Sequence, residues 1–210
     1  FGTDYIRIDC PGNVTLKFEG SSEVGVVAKS AYSGKYAFWS NRGDESDMTL
    51  TRTFDFSATG GPITLQYRTW YDLENDYDYL YLLASEDGSH WEILHTPSGT
   101  DTDPSGNSYG WGYTGQSGDW IEESVDLSRY AGKEVQLQFE YVTDLAVNAD
   151  GFLLDDVRIP EMNYVEDFES GDGGWKGAGF VRIQNILPQY FTISIIRTGA
   201  ETLVESVKVD

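Results

Sequence analysis

The stretch "VQLQFEYVT", Val135–Thr143, decides how the rest of the chain reads. Val135, Leu137, Phe139, Tyr141 and Thr143 share one face of an extended chain, and Gln136, Gln138 and Glu140 share the other, because successive strand side chains point to opposite sides. Period two with one wet face is the mark of an antiparallel strand buried on one side only. Runs of the same kind recur as "MTLTRTFDF" (Met48–Phe56), "ITLQYRTWY" (Ile63–Tyr71), "YLYLLAS" (Tyr79–Ser85) and "GFLLDDVRI" (Gly151–Ile159). Each is rich in β-branched and aromatic residues and bounded by turn residues. "SEDGSHW" (Ser85–Trp91) reads as a hairpin turning at Asp87-Gly88. No stretch has the apolar period of an amphipathic helix, and "DLSRYAG" (Asp126–Gly132) makes at most one turn capped by Ser128. Many short strands of this kind point to an all-β, antiparallel jelly-roll sandwich.

The totals agree with a packed domain. Of 210 residues, 40% are hydrophobic and 14% aromatic, enough to bury a sizeable core and to argue against global disorder. Lys and Arg number 14 against 35 Asp and Glu, a formal net charge of −21. Such a chain repels phosphate backbones and anionic lipid, which argues against nucleic-acid and membrane-surface roles and leaves cations as the natural small partners. Cys10 is the only cysteine, so no intrachain disulfide or cysteine-based metal site is open to it. Calcium is the usual substitute staple in an oxygen-rich secreted chain. No apolar run approaches the roughly 18–20 residues of a membrane span. The opening "FGTDYIRID" lacks a basic and then apolar signal segment, and the sequence reads as a mature piece of something longer.

The pattern divides the chain into an N-terminal β segment (1–27), the sandwich (28–160) and a C-terminal β segment (161–210). The two ends resemble each other: "DYIRIDCPGNVTLKFEG" (Asp4–Gly20) can be laid over "GFVRIQNILPQYFTISII" (Gly179–Ile196). Pieces below about 40 residues rarely fold unaided. The ends are therefore expected to pack with each other or to complete a neighbouring subunit. Between Thr96 and Trp120 runs a loop of Gly, Ser, Asp and aromatics. It exceeds the roughly 12–15 residues at which loops in compact domains become uncommon, and such loops tend to be functional.

Several catalytic chemistries are missing. His90 and His95 stand in "HWEILH", on a strand rather than at the His-Glu-x-x-His spacing that puts two ligands on one helical face. No Gly-x-Ser-x-Gly elbow and no phosphate-cradling Gly-Lys-Ser/Thr loop is present. Acidic residues gather instead at strand ends: "NRGDESD" (Asn41–Asp47), "DLENDYD" (Asp72–Asp78), "TDLAVNAD" (Thr143–Asp150) and "LLDDV" (Leu154–Val157). Calcium takes about six to eight oxygens from carboxylates, carbonyls and water, and loops at one end of a sandwich can pool them. The candidate ligands are Asp47, Asp72, Glu74, Asp76, Asp78, Asp144 and Asp155. Strict alternation in "GFLLDDVRI" sets Asp155 beside Leu153, Val157 and Ile159 on an apolar face, where a carboxylate must be paired or bind a metal. Asp156 shares the other face with Arg158. Among the aromatics, Tyr109, Trp111, Tyr113 and Trp120 of the long loop, with Trp70 and Tyr71 nearby in sequence, offer stacking surfaces for a sugar ring or a peptide. Arg42-Gly43-Asp44 matches an adhesion tripeptide that arises often by chance, and Asn13-Val14-Thr15 is a glycosylation acceptor pattern.

The stretches "SGKYAFWSNRGDESDMTLTRTFD", "WYDLENDYDYLYLLASEDGSHWEIL", "GWGYTGQSGDWIEESVDLSRYAGKEVQLQFEYVTD", "GFLLDDVRIPE" and "DFESGDGGWKGAGFVRIQNILPQYFTISII" resemble the region downstream of the catalytic domain in immune inhibitor A-type secreted bacterial metallopeptidases. The likeness runs from Ser33 onward. It implies a MAM-like jelly roll, a non-catalytic accessory module of a secreted protein, and calcium as a structural ion. The family's catalytic zinc motif has no counterpart in this chain, so peptidase activity does not carry over. The family hairpin reads Ser-x-Asp-Gly-Gly-x-x-Trp, and "SEDGSHW" is one residue shorter.

The resulting expectation is a calcium-stabilised accessory or adhesion module of a secreted or cell-surface bacterial protein, from a metallopeptidase-like precursor. Its partners would be the remainder of that protein and a glycan or protein ligand. Two alternatives stand beside it: a carbohydrate-binding module using the Tyr109–Trp120 loop, and a self-assembling extracellular filament or surface-layer subunit joined through the terminal β segments.

Overall fold

The computed structural model describes residues 2–9 and 12–209; Cys10 lies outside them. Its strands run in chain order as β1 (Glu23–Val24), β2 (Tyr36–Trp39), β3 (Asp47–Asp55), β4 (Thr64–Asp72), β5 (Tyr79–Ser85), β6 (Glu92–Ile93), β7 (Ile121–Asp126) and β8 (Glu134–Val142). There follow β9 (Gly151–Ile159), β10 (Tyr164–Glu166), β11 (Lys176–Ala178), β12 (Val181–Gln184), β13 (Leu187–Pro188), β14 (Phe191–Arg197) and β15 (Leu203–Val209). No helix among the described residues is long and apolar enough to cross a membrane.

One compact unit, Gly25–Asn185, is the sandwich. Its first sheet has the order β12-β2-β9-β4-β7, with β10 also paired to β9, and its second has the order β11-β3-β8-β5-β6. The core sets β2-β9-β4-β7 and β3-β8-β5-β6 interleave along the chain as the two sheets of a jelly roll do. Strand β8 lies between β3 and β5, from Asp47↔Val142 to Asp55↔Glu134 on one side and from Tyr79↔Val142 to Ser85↔Gln136 on the other. Its alternation is realised as read: Val135, Leu137, Phe139 and Tyr141 are buried, whereas Gln136, Gln138 and Glu140 are half-exposed. Phe139 meets Tyr67 edge-on at 5.2 Å and Phe152 at 5.8 Å, tying the sheets together. Each such ring contributes about 1.5–3 kcal/mol by leaving water.

Strand β9 departs from strict alternation. Its pairing with β4 shifts register between Gln66 and Arg68, and Asp156 has φ 47°. This bulge adds one residue and turns the strand over. Phe152 and Leu154 therefore face the core together with Val157 and Ile159. Leu153 belongs instead to a separate cluster with Trp39, Trp70, Ala37 and Val27. The expected grouping of Leu153 and Asp155 with Val157 and Ile159 is thus corrected by the bulge.

Asp126–Gly132 holds a single 3₁₀ turn, Ser128–Tyr130, without a side-chain cap from Ser128. Asp126 Oδ1 accepts from Ser128 N at 2.8 Å, and Ser128 Oγ accepts from Ile63 N at 3.1 Å. The β5–β6 connection turns at Gly88, φ 74°, with Asp87 accepting from the N–H groups of Ser89 and His90. Past residue 160 the chain continues in the sandwich sheets as β10, β11 and β12.

The second unit joins the residues up to Val24 with those from Ile186 onward. Strand β1 pairs with β13, β14 and β15 form a hairpin from Phe191↔Val209 to Arg197↔Leu203, and Phe18 lies 4.9 Å from Phe191.

Candidate metal centre

The chain leaves β4 after Asp72 and turns before β5. Backbone Glu74 O accepts from Tyr77 N at 3.3 Å and from Asp78 N at 3.1 Å, closing the turn. Asp76 sits in it with φ 67° and donates its N–H to Thr114 Oγ1 at 2.8 Å. The turn breaks the every-second-residue spacing of the four acids. Asp72 stays on β4 and accepts from Gln116 Nε2 at 2.8 Å; Asp76 accepts from Asn75 Nδ2 at 2.6 Å. Glu74 and Asp78 come together.

They are joined by Asp144, on the loop that follows β8. One carboxylate oxygen from each of Glu74, Asp78 and Asp144 lies within 4.8 Å of the others, the one such group among the described residues. Asp78 is buried; its Oδ1 accepts from Asp144 N at 3.0 Å and its Oδ2 from Tyr141 Oη at 3.1 Å. Asp144 Oδ1 accepts from Ala146 N at 3.1 Å. Glu74 Oε2 is buried and has no hydrogen-bond partner among the described residues. None of the three takes part in an ion pair among those residues.

The electrostatics follow from that crowding. Burial, then the Asp144 and Glu74 charges, push Asp78 up to about 6 against the pull of Asp144 N–H and the Tyr141 hydroxyl. Glu74 is raised by burial and by the neighbouring Asp144 and Asp44. The donors are oxygen alone, which suits a hard cation of the calcium type rather than a thiolate- or imidazole-seeking one.

The other proposed ligands are placed elsewhere. Asp47 is exposed at the start of β3. Asp155 is fully buried and accepts three backbone N–H bonds, from Tyr32 (2.9 Å) and Ser33 (3.1 Å) at Oδ2 and from Asp156 (2.7 Å) at Oδ1. It pins the segment before β2 onto the outside of β9. Burial pushes it up to about 7 despite those donors. His90 pairs with Asp87 at 2.7 Å, and His95 stacks on Trp111 at 4.5 Å. Arg42 is engaged by Asp150 at 2.9 Å, and Asp44 accepts from Asn148 at 2.7 Å.

The four loop aromatics do not form one platform. Tyr113 is a core residue: the loop runs back beside β5, where Tyr113 and Leu80 exchange backbone bonds, and its hydroxyl meets that of Tyr67 at 2.6 Å. Trp120 packs edge-on to Tyr32 and donates to Ser30 O. Trp111 donates to Thr96 O. Tyr109 alone of the four is exposed. Trp70 and Tyr71 are buried.

Glu123 escaped the sequence reading. It is fully buried on β7, with Oε2 3.4 Å from Ser98 N and Oε1 lacking a partner among the described residues, and burial raises its pKa. The signal was available, since alternation in "IEESVD" sets Glu123 with Ile121 and Val125.

The model of the family described as immune inhibitor A-like, MAM domain, matches residues 10–185. Among curated proteins, the pre-pro-metalloprotease PrtV of Vibrio cholerae serotype O1 (strain M66-2) is 33% identical over 126 residues, 60% of this chain and 13% of that protein. Immune inhibitor A of Bacillus thuringiensis subsp. alesti is 34% identical over 154 residues, 70% of this chain and 21% of that protein. Bacillopeptidase F of Bacillus subtilis (strain 168) is 28% identical over 124 residues, 59% of this chain and 8% of that protein. The aligned stretch thus spans between 8% and 21% of these three relatives' own lengths.

Proposed function

Since the chain belongs to the immune inhibitor A-like MAM domain family, we propose that it serves as a non-catalytic accessory module of a larger extracellular bacterial protein with a metallopeptidase-like precursor, and that calcium clamps one end of its sandwich. The relatives supporting the accessory role carry the matched stretch as a small part of much longer proteins, among them a pre-pro-metalloprotease and an immune inhibitor.

The observation carrying the calcium reading is the convergence of Glu74, Asp78 and Asp144 with a buried, unpartnered Glu74 Oε2. Three carboxylates gathered without a cation repel one another, and a divalent ion relieves that repulsion and supplies the missing partner. Bound there, it would fasten the β4–β5 turn to the loop after β8, a role that disulfides fill in many secreted domains. The test is a calorimetric calcium titration of the EDTA-treated protein, read with thermal melts. A saturable one-site isotherm and a higher melting temperature are expected. No heat and an unchanged melt at millimolar calcium would remove the clamp and leave the accessory role on family membership.

A second reading, self-assembly, draws on the small unit. Its hairpin leaves Ile195, Ile196, Leu203, Val204 and Val207 exposed, and an isolated two-stranded hairpin is marginal in water. Sedimentation velocity across a hundredfold concentration range tests it; a constant monomer argues against assembly.

A further inference from the structure

Beside the triad lies a cleft of about 250 Å³, lined by Tyr77, Asn107, Tyr109, Val142, Thr143 and Asp144. Its aromatic wall is built rather than incidental. Tyr109 is 71% exposed, yet its ring stacks on Tyr81 at 5.8 Å and 26°, and Tyr81 stacks on Tyr79 at 6.2 Å and 11°. Tyr109 N donates to Tyr81 Oη at 2.8 Å, which fixes the backbone under the top ring. Tyr77, 47% exposed, also lines the cleft, and its carbonyl accepts from Asn107 Nδ2 at 3.3 Å. Tyrosines held this way offer contact area at little cost in side-chain entropy.

The polar groups sort by sign. The Asn107 amide nitrogen is spent inside the protein, on Tyr77 O and on Asp144 Oδ2 at 3.4 Å, so its carbonyl oxygen is what remains for a ligand. Asp144 adds carboxylate oxygen, the tyrosines add electron-rich faces, and neither Lys nor Arg lines the cleft. Acceptors and π faces together complement a group that only donates: an ammonium or a guanidinium. The net charge of −21 draws such a group in. A neutral sugar, which needs donors as well as acceptors for its hydroxyls, matches this lining less well.

We propose that the cleft takes one Lys or Arg side chain of a basic peptide segment, its stem along Tyr77, Tyr109 and Val142 and its charged head against Asp144 and the Asn107 oxygen. The site stands independently of the calcium reading, although Asp144 belongs to both.

The test is a fluorescence-anisotropy titration of the 210-residue protein in EDTA with a labelled Gly-Lys-Gly-Lys-Gly peptide and its arginine counterpart. An acetyl-lysine version and a neutral cello-oligosaccharide serve as comparators. Tyr109→Ala and Tyr77→Ala leave net charge unchanged, so a loss of affinity in them cannot come from general attraction to an acidic surface. Each is expected to weaken binding by about two- to five-fold, the range a cation–π contact supplies at an exposed ring, and acetylation is expected to abolish it. Equal affinity in both folded variants, equal binding of the acetylated peptide, or tighter binding of the oligosaccharide would overturn the proposal. Thermal melts establish folding, and either variant alone suffices should the other fail. Thermal melts at millimolar calcium separate the two readings: an unchanged melt sinks the clamp, and the peptide result in EDTA still decides the cleft.

Discussion

Asp78 and Asp155 are both buried carboxylates on strand-rich scaffolding, and their surroundings are opposite in kind. Asp155 faces three backbone N–H groups and ties a neighbouring segment down. Asp78 faces one N–H and one hydroxyl, and then two further carboxylates. The first group is finished by the protein's own donors. The second is left with more negative oxygen than the protein neutralises. Burial alone therefore does not mark a ligand site; the balance of donors to acceptors around the buried charge does.

The sharpest way to break this contrast is Asp155→Ala. Stranding the buried Asp156 N–H and the two part-buried N–H groups of Tyr32 and Ser33 costs about 3 kcal/mol, taking roughly 1–3 kcal/mol for the buried donor and less for the two that water can reach. Urea unfolding should show that loss undiminished whether EDTA or calcium is present. A loss that calcium reverses would make Asp155 a ligand and erase the distinction.

Asp78→Asn probes the other region and should behave in the opposite sense. In EDTA the amide oxygen can still accept from Asp144 N while one of three like charges is gone, so the variant should melt at or above the parent. Calcium at a hundredfold excess over its dissociation constant adds about 2.7 kcal/mol to the parent, or roughly 5–10 °C at this chain length. That increment should vanish in the variant. Should Asp78→Asn melt lower in EDTA and keep its calcium response, the triad would be another internally satisfied anchor.

Acidity gives a smaller effect that the two regions share without metal and lose separately. An unfolded aspartate titrates near 4, whereas the folded protein holds Asp78 up to about 6 and Asp155 up to about 7. Between those values the folded state keeps protons that the unfolded state has released, so what these two groups contribute to stability is full below about pH 4 and is lost as pH rises towards 7. In EDTA the melting temperature should drop by about 2–8 °C across that window, the size that 1–2 kcal/mol gives at this length. Saturating calcium should cancel the part centred near pH 6, because the ion binds the deprotonated triad, and should spare the part near pH 7. A flat profile in EDTA would show that neither carboxylate is strained by burial.

How much of this was legible follows from where local rules suffice. Strand β8 obeyed its alternation because both neighbours pair with it along its length and the core lies on one side only. "GFLLDDVRI" defeated the same arithmetic because a bulge at Asp156 takes φ 47° without a glycine to announce it. The acidic strand ends were visible in the sequence, but which acids converge was not. The turn after Leu73 separates Asp72 and Asp76 from Glu74 and Asp78, and Asp144 arrives from the loop after β8, its N–H bonded to Asp78 across 66 positions. Tyr113 looked like its loop neighbours, and only its pairing with Leu80 carries it into the core. Tyr77, no part of the expected aromatic set, is brought into the cleft that Tyr109 lines by the turn after Leu73.

Glu123 supplies the intermediate case and the smallest expected effect. It is as buried as Asp155, but its one N–H contact is the long one from Ser98 N, its Oε1 has no close partner among the described residues, and the Ser98 and Tyr113 hydroxyls that pull against burial carry no charge. Neither a nest of N–H groups nor a cluster of acids explains it. If the donor balance is what matters, a neutral amide should suit this position better than a carboxylate, because it removes a poorly compensated charge and keeps an acceptor towards Ser98. Glu123→Gln is then expected to raise the melting temperature at pH 8 by about 2–4 °C, as 1 kcal/mol does at this length, and to change it less in acid, because the raised pKa favours the neutral carboxyl there. Its calcium response should match the parent's. A lower melting temperature both at pH 8 and in acid would mean that the charge at Glu123 is satisfied after all, and the rule drawn from Asp78 and Asp155 would not extend to the interior of the sandwich.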